Sequence, residues 1–388
     1  MKKFLSVLLA LTMIASLAMF AGCGETDETT TAAVGESQEE VTGGDETGAY
    51  EIAVVTDVGQ LMDGGFNQGT YEGVKAYAEA NGKTYQYYQP ANGSDATDND
   101  RVAAMRQAVQ NGAKVIVAPG FLQATAMTTV ALESPDVKFV FVDGWALADE
   151  AGNIIPNVTA IVYKEQESGY LAGYAAVKDG YTKLGGTFGG GGSNPACNRF
   201  AYGYVQGAKD AAEEIGADIE IRISFQYGGS FSASPELATQ IGTWYNNGTE
   251  VVFSCGGSMI QSVISAANET EGGKIIGVDT DQSVLSDRVI TSAMKGLSAS
   301  VQKVLGEYYD GQWDTILGGQ ASNLGAADDA TGLPIETSKF NTFTAEDYNA
   351  IYEKIKTGAI TPDANVEGCE VADFWTALTA GHTTVVYE

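Results

Sequence analysis

The chain has 388 residues, 44% of them apolar and 18% charged, an ordinary globular mix that allows one to three domains and a large core. Its formal net charge is −29, with 50 acidic residues against 21 basic ones. Such a surface repels polyanions, which excludes nucleic acid as a partner and argues against an anionic phosphate ligand; the plainer role of the charge is to keep an exported protein in solution.

The chain opens with Lys2 and Lys3, then an apolar run from Phe4 to Phe20 that ends at Ala21-Gly22-Cys23. A basic start, an apolar run and small residues mark an export signal. The run is also about the minimum for a retained spanning helix. Small residues directly before a cysteine resemble a bacterial lipoprotein signal, with Cys23 as the lipidated first residue, although Phe20 stands where leucine is usual; plain secretion is the alternative. Residues 23–49 are rich in Thr, Gly, Glu and Asp, lack any basic residue, and read as a disordered acidic tether.

The stretch from Glu51 to Gly82 reads as strand, loop and helix: apolar Ile52 to Val55, a loop from Asp57 to Gly65, then periodic Tyr71, Val74 and Ala78. At the carboxyl edge of a parallel sheet, such a loop is where α/β proteins bind ligands. Asp57, Phe66 and Asn67 offer an acceptor, an aromatic face and an amide, which suit a flat, uncharged, hydroxylated molecule such as a nucleoside. The structural alternative makes Phe66 a helix-entry staple and Asn67 a cap.

Strands are then predicted at Tyr85 to Gln89, Lys114 to Ala118 and Phe139 to Val142, with helices from Asp98 to Asn111 and Phe121 to Leu132 between them. After the run Val158 to Val162 and a helix from Ser168 to Val177, the alternation restarts. Strands Lys183 to Phe188, Ile219 to Phe225, Val251 to Cys255 and Lys274 to Val278 alternate with helices Arg199 to Ile215, Pro235 to Tyr245 and Met259 to Ala267. The pattern predicts two doubly wound α/β lobes joined by a short hinge of a few strands. Lobe 1 spans 50–160 and lobe 2 spans 161–287. Residues 288–320, with Val289 to Met294 and a helix from Leu297 to Tyr309, are expected to return to lobe 1. The segment 321–388, with a helix from Ala345 to Ile355 capped by Thr344, is assigned to neither lobe.

Asp57, Asp143, Gly256-Gly257 and Asp279 each follow an apolar strand, so all would meet at two facing sheet edges, where a cleft encloses a ligand. The motifs TDVG…D…GFNQ, VFVDG, YKEQESGYLAGYAA, GGSF and GVDTDQ, in this order over roughly Glu51 to Gly311, resemble the basic-membrane-protein family. That family comprises type I periplasmic-binding-protein lipoproteins, including purine-nucleoside receptors of ABC importers. The resemblance implies a nucleoside held between aromatic rings, with carboxylates and a lysine on the ribose. The matching positions are Asp57, Phe66, Asn67, Asp143, Phe231, Gly256, Asp279 and Lys295. It also implies a monomer, anchored at the cell membrane on its extracytoplasmic face, with a permease and ATPase as partners and no cofactor. Two departures stand out: glycine-rich Gly189 to Gly192, and a short interval from Asp279 to Lys295.

Duller or rival readings accompany these residues. Gly189 to Gly192 lacks the Gly-Lys-Ser/Thr of a phosphate cradle. Asp279, Asp281 and Asp287 lack EF-hand spacing. Cys197, Cys255 and Cys369 have no metal-ligand spacing; one bridge among them is open, and the sequence does not choose it. His382 has no second histidine for a zinc site and no nucleophile beside it. A metal-assisted nucleoside hydrolase would also use clustered aspartates, and a ligand-sensing receptor would use the same fold.

Overall fold

The computed structural model describes residues 49–58 and 60–388; the expected export signal, Cys23 and nearly all of the tether lie outside the described residues. The first lobe begins with β1 (Ile52–Val55), α1 (Phe66–Asn81), β2 (Tyr85–Tyr88), α2 (Asp98–Gln110), β3 (Val115–Pro119), α3 (Ala124–Glu133), β4 (Lys138–Val142) and β5 (Val158–Tyr163). Its central strands are apolar at nearly every position because helices cover both faces, which a half-buried alternating strand would not tolerate. The second lobe follows with α4 (Glu165–Lys178), β6 (Lys183–Phe188), α5 (Pro195–Ile215), β7 (Ile219–Ser224), α6 (Pro235–Asn246), β8 (Val251–Cys255), α7 (Met259–Asn268), β9 (Lys274–Asp279) and β10 (Val289–Lys295). The chain closes with α8 (Leu297–Tyr309), β11 (Ala321–Leu324), β12 (Thr331–Gly332), α9 (Ala345–Lys356), α10 (Ala372–Thr376) and β13 (Thr383–Tyr387).

The first sheet has the order β11-β5-β4-β3-β1-β2 and is parallel throughout. The second has the order β12-β10-β9-β8-β6-β7-β13, parallel except where β12 meets β10. Within each, the first five strands run 2-1-3-4-5, so the same doubly wound unit occurs twice. In this order the direction of winding reverses between the first and third strands, and ligands bind outside the strand ends at that point.

Two expectations change, and the segment assigned to neither lobe finds its place. Val289 to Met294 does not return to lobe 1: it pairs with β9 as β10, because an apolar strand beside β9 completes the second sheet. The return begins after Gly296, where α8 packs on α1. The helix placed at Arg199 begins at Pro195, because the Asn194 side chain accepts the Cys197 N–H and proline suits a first turn. Most of the C-terminal segment packs on the second lobe, with β12 and β13 at the two edges of its sheet, while β11 extends the first sheet beside β5. Among the described residues, no helix is long and apolar enough to cross a membrane.

The chain crosses between the sheets three times, at Lys164, at Gly296 and between β11 and β12. These crossings are tied to one another. The Lys164 N–H donates to the Leu324 carbonyl at 2.8 Å, and the Gly296 N–H to Ala330 at 2.8 Å. Glu167 accepts the Ala326 N–H at 2.6 Å and the Thr331 hydroxyl at 2.8 Å.

Candidate functional site

At the end of β1, the chain is held from behind: the buried Gln123 amide donates to the carbonyls of Val55 and Thr56 at 3.1 and 2.7 Å. Asp57 follows, its N–H donating to Asn67 Oδ1 at 3.0 Å. Both Asn67 amide protons are also used, on Val58 O and Asp63 Oδ2 at 3.0 and 3.2 Å. Asn67 is therefore neither a helix cap nor a free donor; it fixes the loop that carries Asp57. Capping falls to Asp63, which accepts the N–H groups of Gly65, Asn67 and Gln68. This arrangement aims the Phe66 ring into the cleft.

Across the cleft, Phe231 stands beside the ends of β6 and β8. Its backbone is left-handed, with φ at 58°, a conformation costly for a bulky residue. A Cβ on Gly189 would lie 2.4 Å from its ring and one on Gly257 2.5 Å from its carbonyl oxygen. Gly189, the first of the four glycines weighed as a phosphate cradle, thus makes room for an aromatic ring. Asp143 and Asp279 share the left-handed conformation, at φ 58° and 66°. Non-glycine residues held this way gather where function, rather than local stability, selects the backbone.

All eight residues singled out in the sequence line one cavity. Lys295 is 4% exposed and lies at its centre. Its ammonium contacts Asp143 directly, with Glu165 at 3.4 Å and Asp279 at 3.7 Å. The same nitrogen stands 5.1 Å from the Phe66 ring centre. Glu165 is fully buried and pairs on its other side with Arg199 at 2.5 Å. Asp57 faces Arg101 at 3.8 Å.

Burial pushes Asp57 up to about 7 against the pull of Arg101, and pushes Asp279 up to about 7 against the pull of Lys295. Asp143 also rises, from burial first, with Lys295 opposing. Burial would lower Lys295, but the carboxylates of Asp143, Glu165 and Asp279 outweigh it and hold the lysine charged well above its ordinary range. Among the described residues, Asp57 Oδ1 and Asp143 Oδ1 are buried without a hydrogen-bond partner. Such acceptors carry a desolvation penalty of about 1–3 kcal/mol each until something donates to them.

Sequence reasoning did not single out Asp63, Glu165, Arg101 or Arg199. Glu165 and Asp63 sit inside motifs quoted above, but an acid in a helix's first turn or before it ordinarily reads as dipole compensation. Cys197, Cys255 and Cys369 are free and buried, so no bridge joins them; Cys197 and Cys255 line the cavity wall.

Two wound lobes, three crossings and a charged, aromatic-walled cavity between them define a ligand-binding protein of the type I periplasmic-binding class. Solved structures agree on the fold. A solute-binding protein of an ABC transporter system from Aeropyrum pernix aligns with a TM-score of 0.62 at 22% identity, over 82% of this chain and 90% of its own. One from Conexibacter woesei aligns at 0.60 and 21%, over 81% and 99%.

The sequence model for ABC transporter substrate-binding proteins of the PnrA-like type matches residues 50–364, and the chain belongs to this Bmp family. The ABC transporter nucleoside-binding protein BmpA of Lactococcus lactis subsp. cremoris is 32% identical over 322 residues, covering 77% of this chain and 83% of that protein. Basic membrane protein A of Borreliella afzelii is 28% identical over 332 residues, covering 84% and 95%. The family consists of transport receptors and not of enzymes, so the hydrolase reading falls.

Proposed function

We propose that the chain is the lipid-anchored, extracytoplasmic receptor of an ABC importer, closing on a purine nucleoside and presenting it to a permease. The observation that carries this reading is one cavity that brings Phe66 and Phe231, from opposite lobes, beside unpartnered carboxylate oxygens of Asp57 and Asp143. Phe66 and Phe231 stack on the two faces of the base; stacking on an aromatic is worth about 1–3 kcal/mol per base and tolerates different bases. Asp143, Asp279 and Lys295 take the ribose hydroxyls, and Asp57 takes an N–H of the base. Acids outnumber bases around the cavity, with Asp57, Asp63, Asp143, Glu165 and Asp279 against Arg101, Arg199 and Lys295. The three cations are already paired with Asp57, Glu165 and Asp143, so a phosphate would find no free counter-charge and nucleosides are selected over nucleotides. The nucleoside-binding relative from Lactococcus supports the ligand class.

The test is calorimetry on protein stripped of carried-over ligand, with guanosine, inosine, cytidine and free bases. Phe66→Ala is expected to weaken every base alike. Asp279→Asn keeps side-chain size and removes the charge, so ribosides should lose about 1.5–3 kcal/mol and free bases little. If no nucleoside binds the stripped wild type, the ligand assignment is wrong. The anchor is tested separately: Cys23→Ala should abolish lipid labelling in cells and release the folded protein from the membrane.

A further inference from the structure

We propose that the cleft has an outer chamber that accepts a neutral, hydrogen-bonding substituent on the base, so that base-modified nucleosides are ligands alongside unmodified ones; this rests on the nucleoside reading above. A second cavity adjoins the inner one. The two share Val58, Asp63, Phe231 and Gly257 as walls. Asp143, Asp279 and Lys295 line only the inner cavity. A nucleoside with its sugar on those three groups and its base against Phe231 therefore directs the base's far edge towards the outer chamber.

The chemistry of the outer wall sets what it would take. Its polar side chains include Ser94, Ser232, Ser258 and Gln261, and no lysine, arginine or histidine is among its lining residues. Asp63 is its one ionisable side chain, and both carboxylate oxygens are already engaged by Gly65, Asn67 and Gln68. An anionic substituent would find no counter-charge. The wall also carries Val58, Met62 and Leu285, but an apolar substituent would still cover the Gln261 amide and the Ser258 hydroxyl proton without giving them partners, which is unfavourable. A hydroxyl or amide group suits the wall. Ser94 of the first lobe meets Ser232 of the second at 3.1 Å, so the chamber is bounded by both lobes and persists when they touch.

Calorimetry on the stripped chain would compare adenosine and guanosine with derivatives carrying a hydroxyethyl group on the exocyclic amine. Gln261 is exposed on α7, so Gln261→Trp fills the chamber without disturbing the core. The proposal expects each derivative to bind wild type within about threefold of its parent. It expects Gln261→Trp to weaken the derivatives by about tenfold or more while leaving the parents unchanged. A derivative that loses more than about tenfold on wild type overturns it, as does a Gln261→Trp variant that treats parent and derivative alike. If neither parent binds, the nucleoside reading has failed and the chamber assignment with it; if the parents bind and the derivatives do not, only the chamber assignment fails.

Discussion

Asp57 and Asp279 are carboxylates that the fold holds near neutrality in their proton affinity, and this has opposite effects on stability and on binding. Each is raised by burial to about 7, so between about pH 4 and 7 the folded chain keeps protons that the unfolded chain has lost. Folding stability from these groups is therefore highest at the acid end of that window and falls as pH rises through it. A sugar hydroxyl or base N–H donates more strongly to the ionised form than to the protonated one, so ligand affinity should rise over the same range. Ligand-free protein is expected to melt at a higher temperature at pH 5 than at pH 8, with nucleoside affinity ranked the other way. His382, raised by its contact with Asp218, titrates in the same direction as the aspartates, so His382→Gln provides the background in which to measure them. Affinity that is flat with pH would mean that neither aspartate changes charge on binding. At this scale the sequence was most informative where an aspartate or glycine ends an apolar strand, because strand ends point the same way in a parallel sheet. It was silent on Glu165 and Arg101, whose importance comes from what lies opposite them, and that depends on elements far away in the chain.

Among the elements, α4 and α5 pack more closely than side chains allow. A Cβ on Gly173 would lie 2.1 Å from the Tyr204 carbonyl oxygen, and one on Gly207 would lie 1.9 Å from that of Tyr170. The two backbones touch, with Gly169 and Gly173 on one helix and Gly203 and Gly207 on the other. Gly207→Ala is expected to cost about 3 kcal/mol or more, since neither backbone can yield locally. Gly242→Ala, on the open face of α6 where nothing lies within 4 Å, should instead stabilise by about 0.5–1 kcal/mol. Denaturant titrations of the two variants check the contrast; equal losses would mean the α4–α5 contact is loose. Strand and helix positions were largely legible from periodicity and punctuation. The meaning of four helical glycines was not, because a glycine lowers helix propensity wherever it stands and only the partner helix explains it. The destination of β10 was equally hidden, since an apolar strand carries no mark of which sheet will receive it.

For the whole molecule, the lobes meet at their lips through few bonds. The Gly64 carbonyl accepts from Thr280 Oγ1 and Gln282 Nε2, each at 2.9 Å, and Ser94 touches Ser232. Gln282 also braces its own lobe, accepting the Val278 N–H, so Thr280 is the cleaner probe of closure. Thr280→Val keeps the shape and removes one donor, worth about 0.5–1.5 kcal/mol. Affinity should fall by about two- to tenfold, with the loss in the dissociation rate and the association rate little changed. Stopped-flow fluorescence resolves the two rates, and a slower association with unchanged dissociation would mean that the lips do not hold the closed state.

The crossings between lobes have a consequence in time. Lys295 is the last residue before the Gly296 crossing and Glu165 the first after Lys164, so the charged centre of the cleft is built on the pivot itself. Groups on a pivot are displaced least when two bodies swing apart, whereas Phe231, next to Ser232 at the rim, is displaced most. An arriving ligand thus finds Lys295, with Glu165 behind it, already in place and the second aromatic wall absent. Capture would proceed in order, sugar first and base last, and release would run in reverse. A free base would arrive to find no early foothold, and its weakness as a ligand would lie in the rate at which it is caught.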